Sequence, residues 1–463
     1  MLRLVLISSL VTCLPLTRVI AQATDRSRAA AVGTRDSIER DTGGIDALLA
    51  LALAVHPSIR AASARADAAR RRMQTAGLLS DPMLMAGVQN FPLGPEEGMR
   101  GPDPMTMRMI GVGQTIPYPG KRSLRRQVAD RELNAARAAH AMAIRQVSRD
   151  VKDAYFEIVF LDRALEIVGR QHSVVLTLGR AAESRYVVGA SGQQDILRAR
   201  LEAARVAETA VVYGEQRSAA IARLNVLVDR PTDAATPLLT IPADIVRKAV
   251  PDSTRGVRFV SSALGARLAD SPLPSLPELQ DAALRLNPAL TEQNAIVEAQ
   301  AARAELSQKE FLPDVELSLQ YGQRSGRPDM VTAVLSVPLP LQKRRRQDVL
   351  AAEALANLAA LDADRAAVRN NVRAEVARLV SDLERLRAQL AIYSTAVIPH
   401  GRASLASSTA SYGAGTVEFL TVVDNGTTLF AYEIEYFRAL TEFARTLAEL
   451  ERVVGMDMRE MLR

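Results

Sequence analysis

The chain has 463 residues, 48% of them apolar but only 4% aromatic, with no tryptophan and one cysteine. A formal charge of +6 is too small a surplus for this length to imply nucleic-acid binding, and a lone cysteine excludes internal disulfides and cysteine metal sites. The apolar residues are mostly Ala, Leu and Val, which suit long packed helices.

Residues 1–23 read as a secretory signal, with Arg3 in the positive region, an apolar run over 4–16, and Ala21-Gln22-Ala23 as the cleavage pattern. Cleavage there removes Arg3, Arg18 and no acid, taking the charge from +6 to +4. The rival reading is a lipoprotein signal cut before Cys13, which would acylate that residue. Residues 24–44 are polar and read as a flexible segment. A helix is predicted over 45–78, broken near its start by Pro57. Strand-like stretches follow at 83–91 and 105–116, joined by the Gly/Pro-rich segment 92–104 as a hairpin loop. Pro117, Pro119 and Gly120 end the second strand. Residues 121–188 contain no proline and only Gly169 and Gly179, which predicts a helix of roughly 100 Å. Val147, Val151, Ala154, Ile158 and Leu161 recur at heptad spacing within it. Gly189 and Gly192 mark a tip, and a helix returns over 194–228.

Residues 230–275 are proline-rich and read as a linker of short elements. A helix is predicted over 276–310. Strands follow at 314–321 and 331–337, ended by Pro338 and Pro340. Val315, Leu317, Leu319 and Tyr321 alternate with Glu316, Ser318 and Gln320, the pattern of a strand with one apolar and one wet face. The next helix carries Val372, Val376, Leu379, Leu383, Leu386 and Leu390 at heptad spacing, with a bend expected at Pro399. A second tip lies at 412–415, a final helix reaches about 454, and 457–463 form a tail. No later segment offers about 18 uninterrupted apolar residues, so no transmembrane helix is expected.

This order is an internal duplication, 45–229 followed by 276–456. His56-Pro57 recurs as Asn287-Pro288, 231 residues on; Ile116-Pro117 recurs as Val337-Pro338 after 221; Tyr186-x-x-Gly189 recurs as Tyr412-x-x-Gly415 after 226. The fold class is mainly α with a small β part. Four strands cannot close a membrane barrel, which needs about eight at least and a wider ring to leave a pore. Two chains would give a plugged barrel and three a wider one. Two soluble hairpins capping a helical bundle fit the same pattern.

Gln114-Thr115-Ile116-Pro117-Tyr118-Pro119-Gly120-Lys121-Arg122 resembles the strand-to-helix junction of the outer-membrane efflux (TolC) family. Tyr186-x-x-Gly189 with Asp195, and Tyr412-x-x-Gly415-Thr416 with Asp424, resemble its two periplasmic tips. The resemblance runs in order over the whole chain after the leader, and includes outlets of heavy-metal pumps. It implies a homotrimer in the outer membrane. Twelve strands would form one β-barrel, and the coiled-coil helices a periplasmic α-barrel that docks on an adaptor (membrane fusion protein) and an inner-membrane pump exporting drugs or heavy-metal cations. It also implies a periplasmic gate built from Asp195, Asp424 and Tyr412. A third acidic position of the family is Thr421 here, and Glu418 one turn away would compensate. Gly189, Gly192 and Gly415 would shape the tips where the adaptor docks. For Asp195 the alternative is an acid favouring a helix N-terminus; for Tyr412 it is a packing aromatic. The rival function is a soluble periplasmic coiled-coil adaptor.

Two further motifs keep alternative readings. Met83, Met85, Met99, Met105, Met107 and Met109 crowd the first hairpin. Thioethers are soft ligands for Cu(I) or Ag(I), yet Met105, Met107 and Met109 alternate and would equally meet lipid or line a barrel. Lys121 and Arg122 follow the first hairpin, and Lys343 and Arg344 the second. At that level cations would meet lipid phosphates; a solvated helix start is the plainer reading. His56, His140, His172 and His400 are scattered, and no phosphate loop or nucleophile elbow is present, so neither an enzyme nor a cofactor is expected.

Overall fold

The structure, a computed structural model, describes residues 44–91, 105–250, 258–259, 266–267, 274–339 and 341–457. The leader, Cys13, the 92–104 loop, Met99 and Pro340 lie outside the described residues.

The first repeat opens with α1 (Ile45–Val55) and α2 (Pro57–Thr75). His56 sits between them in extended conformation because the residue before a proline is driven out of the helical region, and the two axes differ by 47°. Strands β1 (Met83–Gln89) and β2 (Met107–Ile116) follow. Helix α3 (Lys121–Val187) then runs unbroken for 67 residues, about 100 Å at 1.5 Å per residue. Helix α4 (Gln193–Leu227) returns antiparallel to it. The linker contains α5 (Ala243–Ala249) and the short strands β3 (Arg258–Phe259) and β4 (Ala266–Arg267).

The second repeat shows α6 (Leu276–Leu286) and α7 (Pro288–Lys309) where one helix over 276–310 is predicted. Pro288 makes the break by driving Asn287 into extended conformation, as Pro57 does His56, and the Asn287 side chain serves both sides. Its amide donates to Val453 O at 2.6 Å, and its oxygen accepts from Leu290 N at 3.0 Å, capping α7. Strands β5 (Val315–Arg324) and β6 (Met330–Ser336) lead to α8 (Gln347–Ile392). The bend expected at Pro399 is a π turn over Tyr393–Val397, after which α9 (Ile398–Gly413) continues the helix. Pro399 offers no N–H to the carbonyl one turn back and its ring crowds it, so the ladder widens locally instead of stopping. Helix α10 (Phe419–Val454) closes the chain, and Gly455 ends it at φ +86°.

Among the described residues the two hairpins join in one antiparallel sheet, ordered β1-β2-β5-β6. Register follows from Met85↔Gly111, Gly111↔Gln320 and Gln320↔Thr332. Paired residues share a face, so one face carries Leu84, Val88, Ile110, Val112, Leu317, Leu319, Val331 and Leu335, all exposed. The other carries Gln89, Arg324, Gln320, Ser318, Glu316 and Thr332, together with glycines and methionines.

The heptad positions pack as expected. Val147, Val151, Ala154, Ile158 and Leu161 of α3 are buried against α1 and α4, and Val376, Leu379, Leu383, Leu386 and Leu390 of α8 against α6 and α10. Ion pairs between buried carboxylates and more exposed arginines stitch the helices together. Asp153 of α3 accepts from Arg445 of α10 at 2.6 Å and pairs with Arg223 of α4 at 3.0 Å. Glu433 of α10 pairs with Arg170 of α3 and Arg402 of α9, each at 2.7 Å. No single helix among the described residues is long and apolar enough to cross a membrane.

Candidate functional site

Both tips are built by the same backbone device. At the first, Gly189 adopts φ +74°, its N–H bonds to Tyr186 O, and Ala190 N bonds to Arg185 O. At the second, Gly415 adopts φ +78°, its N–H bonds to Tyr412 O, and Thr416 N bonds to Ser411 O. Each is a glycine-terminated helix end in which two otherwise orphaned carbonyls find donors. Gly192 instead caps α4 in extended conformation at φ −84°, where any residue is allowed.

The side chains break this symmetry. Tyr186 is exposed, whereas Tyr412 is 4% exposed. Tyr412 packs edge-on against Phe419 at 5.6 Å, in a small core with Leu178, Ala182, Ala199 and Val422 that joins α3 and α4 to α9 and α10. Arg185, at the last turn of α3, covers it. The guanidinium carbon lies 4.8 Å from the Tyr412 ring centroid. Its N–H groups donate to the Tyr412 carbonyl, to Gly413 O at 3.5 Å and to Ala190 O at 3.2 Å. One side chain from the first tip thus fastens the second. Its sequence signal is an arginine in a helix's final turn where the equivalent residue of the other repeat is Ser411; the sequence reading overlooks it.

Asp195 stands in the first turn of α4, three residues after Gly192, and is half-buried. It bears on Tyr412 electrostatically. Burial first, then the Asp195 charge, push the Tyr412 phenol upward, against the opposing pull of Arg185. The phenol is therefore neutral at any physiological pH, and its oxygen is buried with no hydrogen-bond partner among the described residues. Glu418 caps α10 through its backbone and is exposed, as are Thr421 and Asp424. Asp424 lines a cleft of about 580 Å³ between α4 and α10, facing Arg198, Glu202 and Arg205. The structure thus brings Asp195 and Tyr412 together, and sets Asp424 apart in a cleft of mixed charge.

The strand-to-helix junctions differ from expectation. Lys121 is not a lipid-facing cation: its side chain is 2% exposed, and its ammonium donates to Asp314 and Leu312 O, both at 2.8 Å. Asp314 also accepts from Tyr118 N at 3.0 Å, so it welds the two hairpins together at their base. Arg122 donates to Gly77 O at 2.9 Å. Lys343 lies over the Phe311 ring at 4.5 Å, and Arg344 is exposed. Pro117 is buried, while Pro119 and Pro338 are exposed. Gly120 caps α3 at φ +93°, where a side chain would also strike Lys309.

Met107 and Met109 lie on the polar face of the sheet, not the apolar one, while Met105 precedes the strand. No group of three or more His, Cys, Asp or Glu side chains among the described residues is placed to hold a metal ion.

The outer membrane efflux protein family model matches residues 48–228 and 279–456, one segment in each repeat. Comparison with curated proteins returns no significant match. Among solved structures, VceC from Vibrio cholerae, an outer membrane protein, is 19% identical over 89% of this chain and 96% of its own, with a TM-score of 0.72. The CmeC outer membrane channel of Campylobacter jejuni is 12% identical over 89% and 85%, at 0.68. The MtrE outer membrane channel of Neisseria gonorrhoeae, in its open state, is 16% identical over 89% of both chains, at 0.68.

Proposed function

The chain belongs to the outer membrane efflux protein family, and on that premise we propose that three copies form one passive conduit, gated where the helix tips meet and docked there on a periplasmic adaptor and an inner-membrane pump. That it is an outer-membrane efflux channel with a helical periplasmic extension follows from the family and the fold, and the soluble-adaptor reading falls with it. The number of copies, the gate and the partners are our reading.

One observation carries it. The sheet ends in β1 and β6, neither paired on its outer side among the described residues, and one of its faces is an apolar band with Arg108, Gln323 and Gln114 toward its ends. In a bilayer an open strand edge leaves backbone groups without partners, so the sheet must close on itself. Three copies of four strands close a ring whose polar faces line water, whereas two copies make a barrel filled by its own side chains. The pump would supply the energy and choose the cargo. At the other end, three copies of the tips would converge, and docking of the adaptor would separate them.

Conductance of the purified protein in a planar bilayer tests this reading. Discrete trimer-sized conductance, small at rest and larger once the tips are loosened, is expected. A protein that stays soluble without detergent and conducts nothing overturns it.

A further inference from the structure

We propose that Met107, Met109 and Met330 form a thioether site for Cu(I) or Ag(I) on the water-lined wall of the barrel. The site rests on the channel reading for its placement, because the polar face of the sheet is the inner wall only if the sheet closes.

The argument starts from register. Met109 pairs with Gly322, and Gly322 pairs with Met330 on its other side. Cross-strand neighbours stand about 5 Å apart, so two methionines on one face look at each other across about 10 Å with a glycine between them. Met107, one step along the same face of β2, leans into that gap: its sulfur lies 2.8 Å from where a Cβ on Gly322 would stand. Glycine at 322 leaves a pit that the Met107 sulfur enters, and Met109 and Met330 flank the same position from the strands on either side. Met107 is 8% exposed, while Met330 is 40% exposed, so the pit has a covered floor and an open rim.

Ordinary packing accounts poorly for these residues. The apolar demand of the bilayer is met by the opposite face, with its leucines, valines and Ile110. The methionine face otherwise carries Gln89, Gln320, Ser318, Thr332 and Arg324, side chains suited to water. Met85 lies on that face too, its methyl 3.3 Å from a built Cβ on Gly113, so the thioether lining continues along the wall. A polarisable sulfur on a wet wall is a good ligand for a soft monovalent cation and a poor one for Mg²⁺ or Ca²⁺. With no hard-ligand cluster among the described residues to compete, the wall selects by softness.

The test uses the detergent-solubilised protein purified from the membrane, which carries no free thiol whether the leader is cut after Ala23 or Cys13 is acylated, with methionines labelled at the methyl carbon. Silver nitrate is titrated in chloride-free buffer. Saturable shifts are expected for Met107, Met109 and Met330, and not for Met73, Met142 or Met456. The triple variant M107L/M109L/M330L keeps side-chain volume, and should weaken silver binding by at least about 100-fold while leaving sodium nitrate conductance unchanged. Equal silver affinity in the triple variant, or no saturable shift at these methyls in a conducting channel, overturns the site alone. Absence of conductance in the parent protein would instead strike the channel reading.

Discussion

Replacing Arg185 with alanine should unlatch the tips. The side chain joins them in two ways, through a charged hydrogen bond to the Tyr412 carbonyl and through its stacking on the Tyr412 ring. A hydrogen bond from a charged donor contributes about 1.5–3 kcal/mol, and a half-desolvated cation–π contact about 1 kcal/mol. The bond to Gly413 O, at 3.5 Å, adds little, and that to Ala190 O stays within the first tip. The linkage between tips is therefore roughly 3 kcal/mol, about two orders of magnitude in an open-to-closed ratio. Single-channel recording in planar bilayers reads that ratio directly. Arg185→Ala should raise it by about 100-fold, and Arg185→Lys should do nearly as much, because an ammonium keeps the charge but loses the planar fork and the stacking. Hydrogen exchange at Ala190 and Thr416 checks that each tip keeps its own turn. If Arg185→Ala leaves the ratio within about threefold of the parent channel, the latch is not what holds the tips.

The double variant Asp195→Ala/Asp424→Ala should raise the half-blocking concentration of a trivalent cation by at least about tenfold in the same recordings, and unchanged block would reject an acidic constriction. Lys121→Met should destabilise the protein by about 2 kcal/mol in thermal melts followed by circular dichroism, since it leaves Asp314 with only the Tyr118 N–H and water and takes the donor from the Leu312 carbonyl; an unshifted melt would show the weld to be dispensable. Burial pulls the Glu449 carboxyl up, but Arg452 and Arg149 outweigh it and hold it below its ordinary value. A carboxylate whose folded pKa is depressed lends stability above its unfolded pKa and loses it as pH falls through the folded one. Melting temperature should therefore drop below about pH 4, and Glu449→Gln should flatten that drop; identical profiles would remove Glu449 from the account.

Much of this molecule is legible in one dimension because its signals are local. A long stretch without proline makes α3, heptads choose its buried stripe, Gly189 and Gly415 end helices where φ turns positive, and the repeated punctuation announces two similar halves. The same locality explains what was misread or missed. The break at Asn287 is local, since Pro288 excludes helical conformation before it as Pro57 does at His56; what lies beyond a local reading is that the Asn287 amide finds Val453, 166 residues away. Lys121 turns inward to Asp314, 193 residues away. Tyr186 and Tyr412 occupy equivalent places in the repeat, yet only Tyr412 is buried, packed on Phe419 in the tip core and covered by Arg185, whose own equivalent is Ser411. Alternation puts Met107 and Met109 on one face, but which face meets water is set by pairing with β5, where Gln320 and Ser318 share it. Backbone conformation is decided by a residue and its near neighbours; partnership, burial and the side of a sheet that faces water are decided by whatever the fold brings from far along the chain.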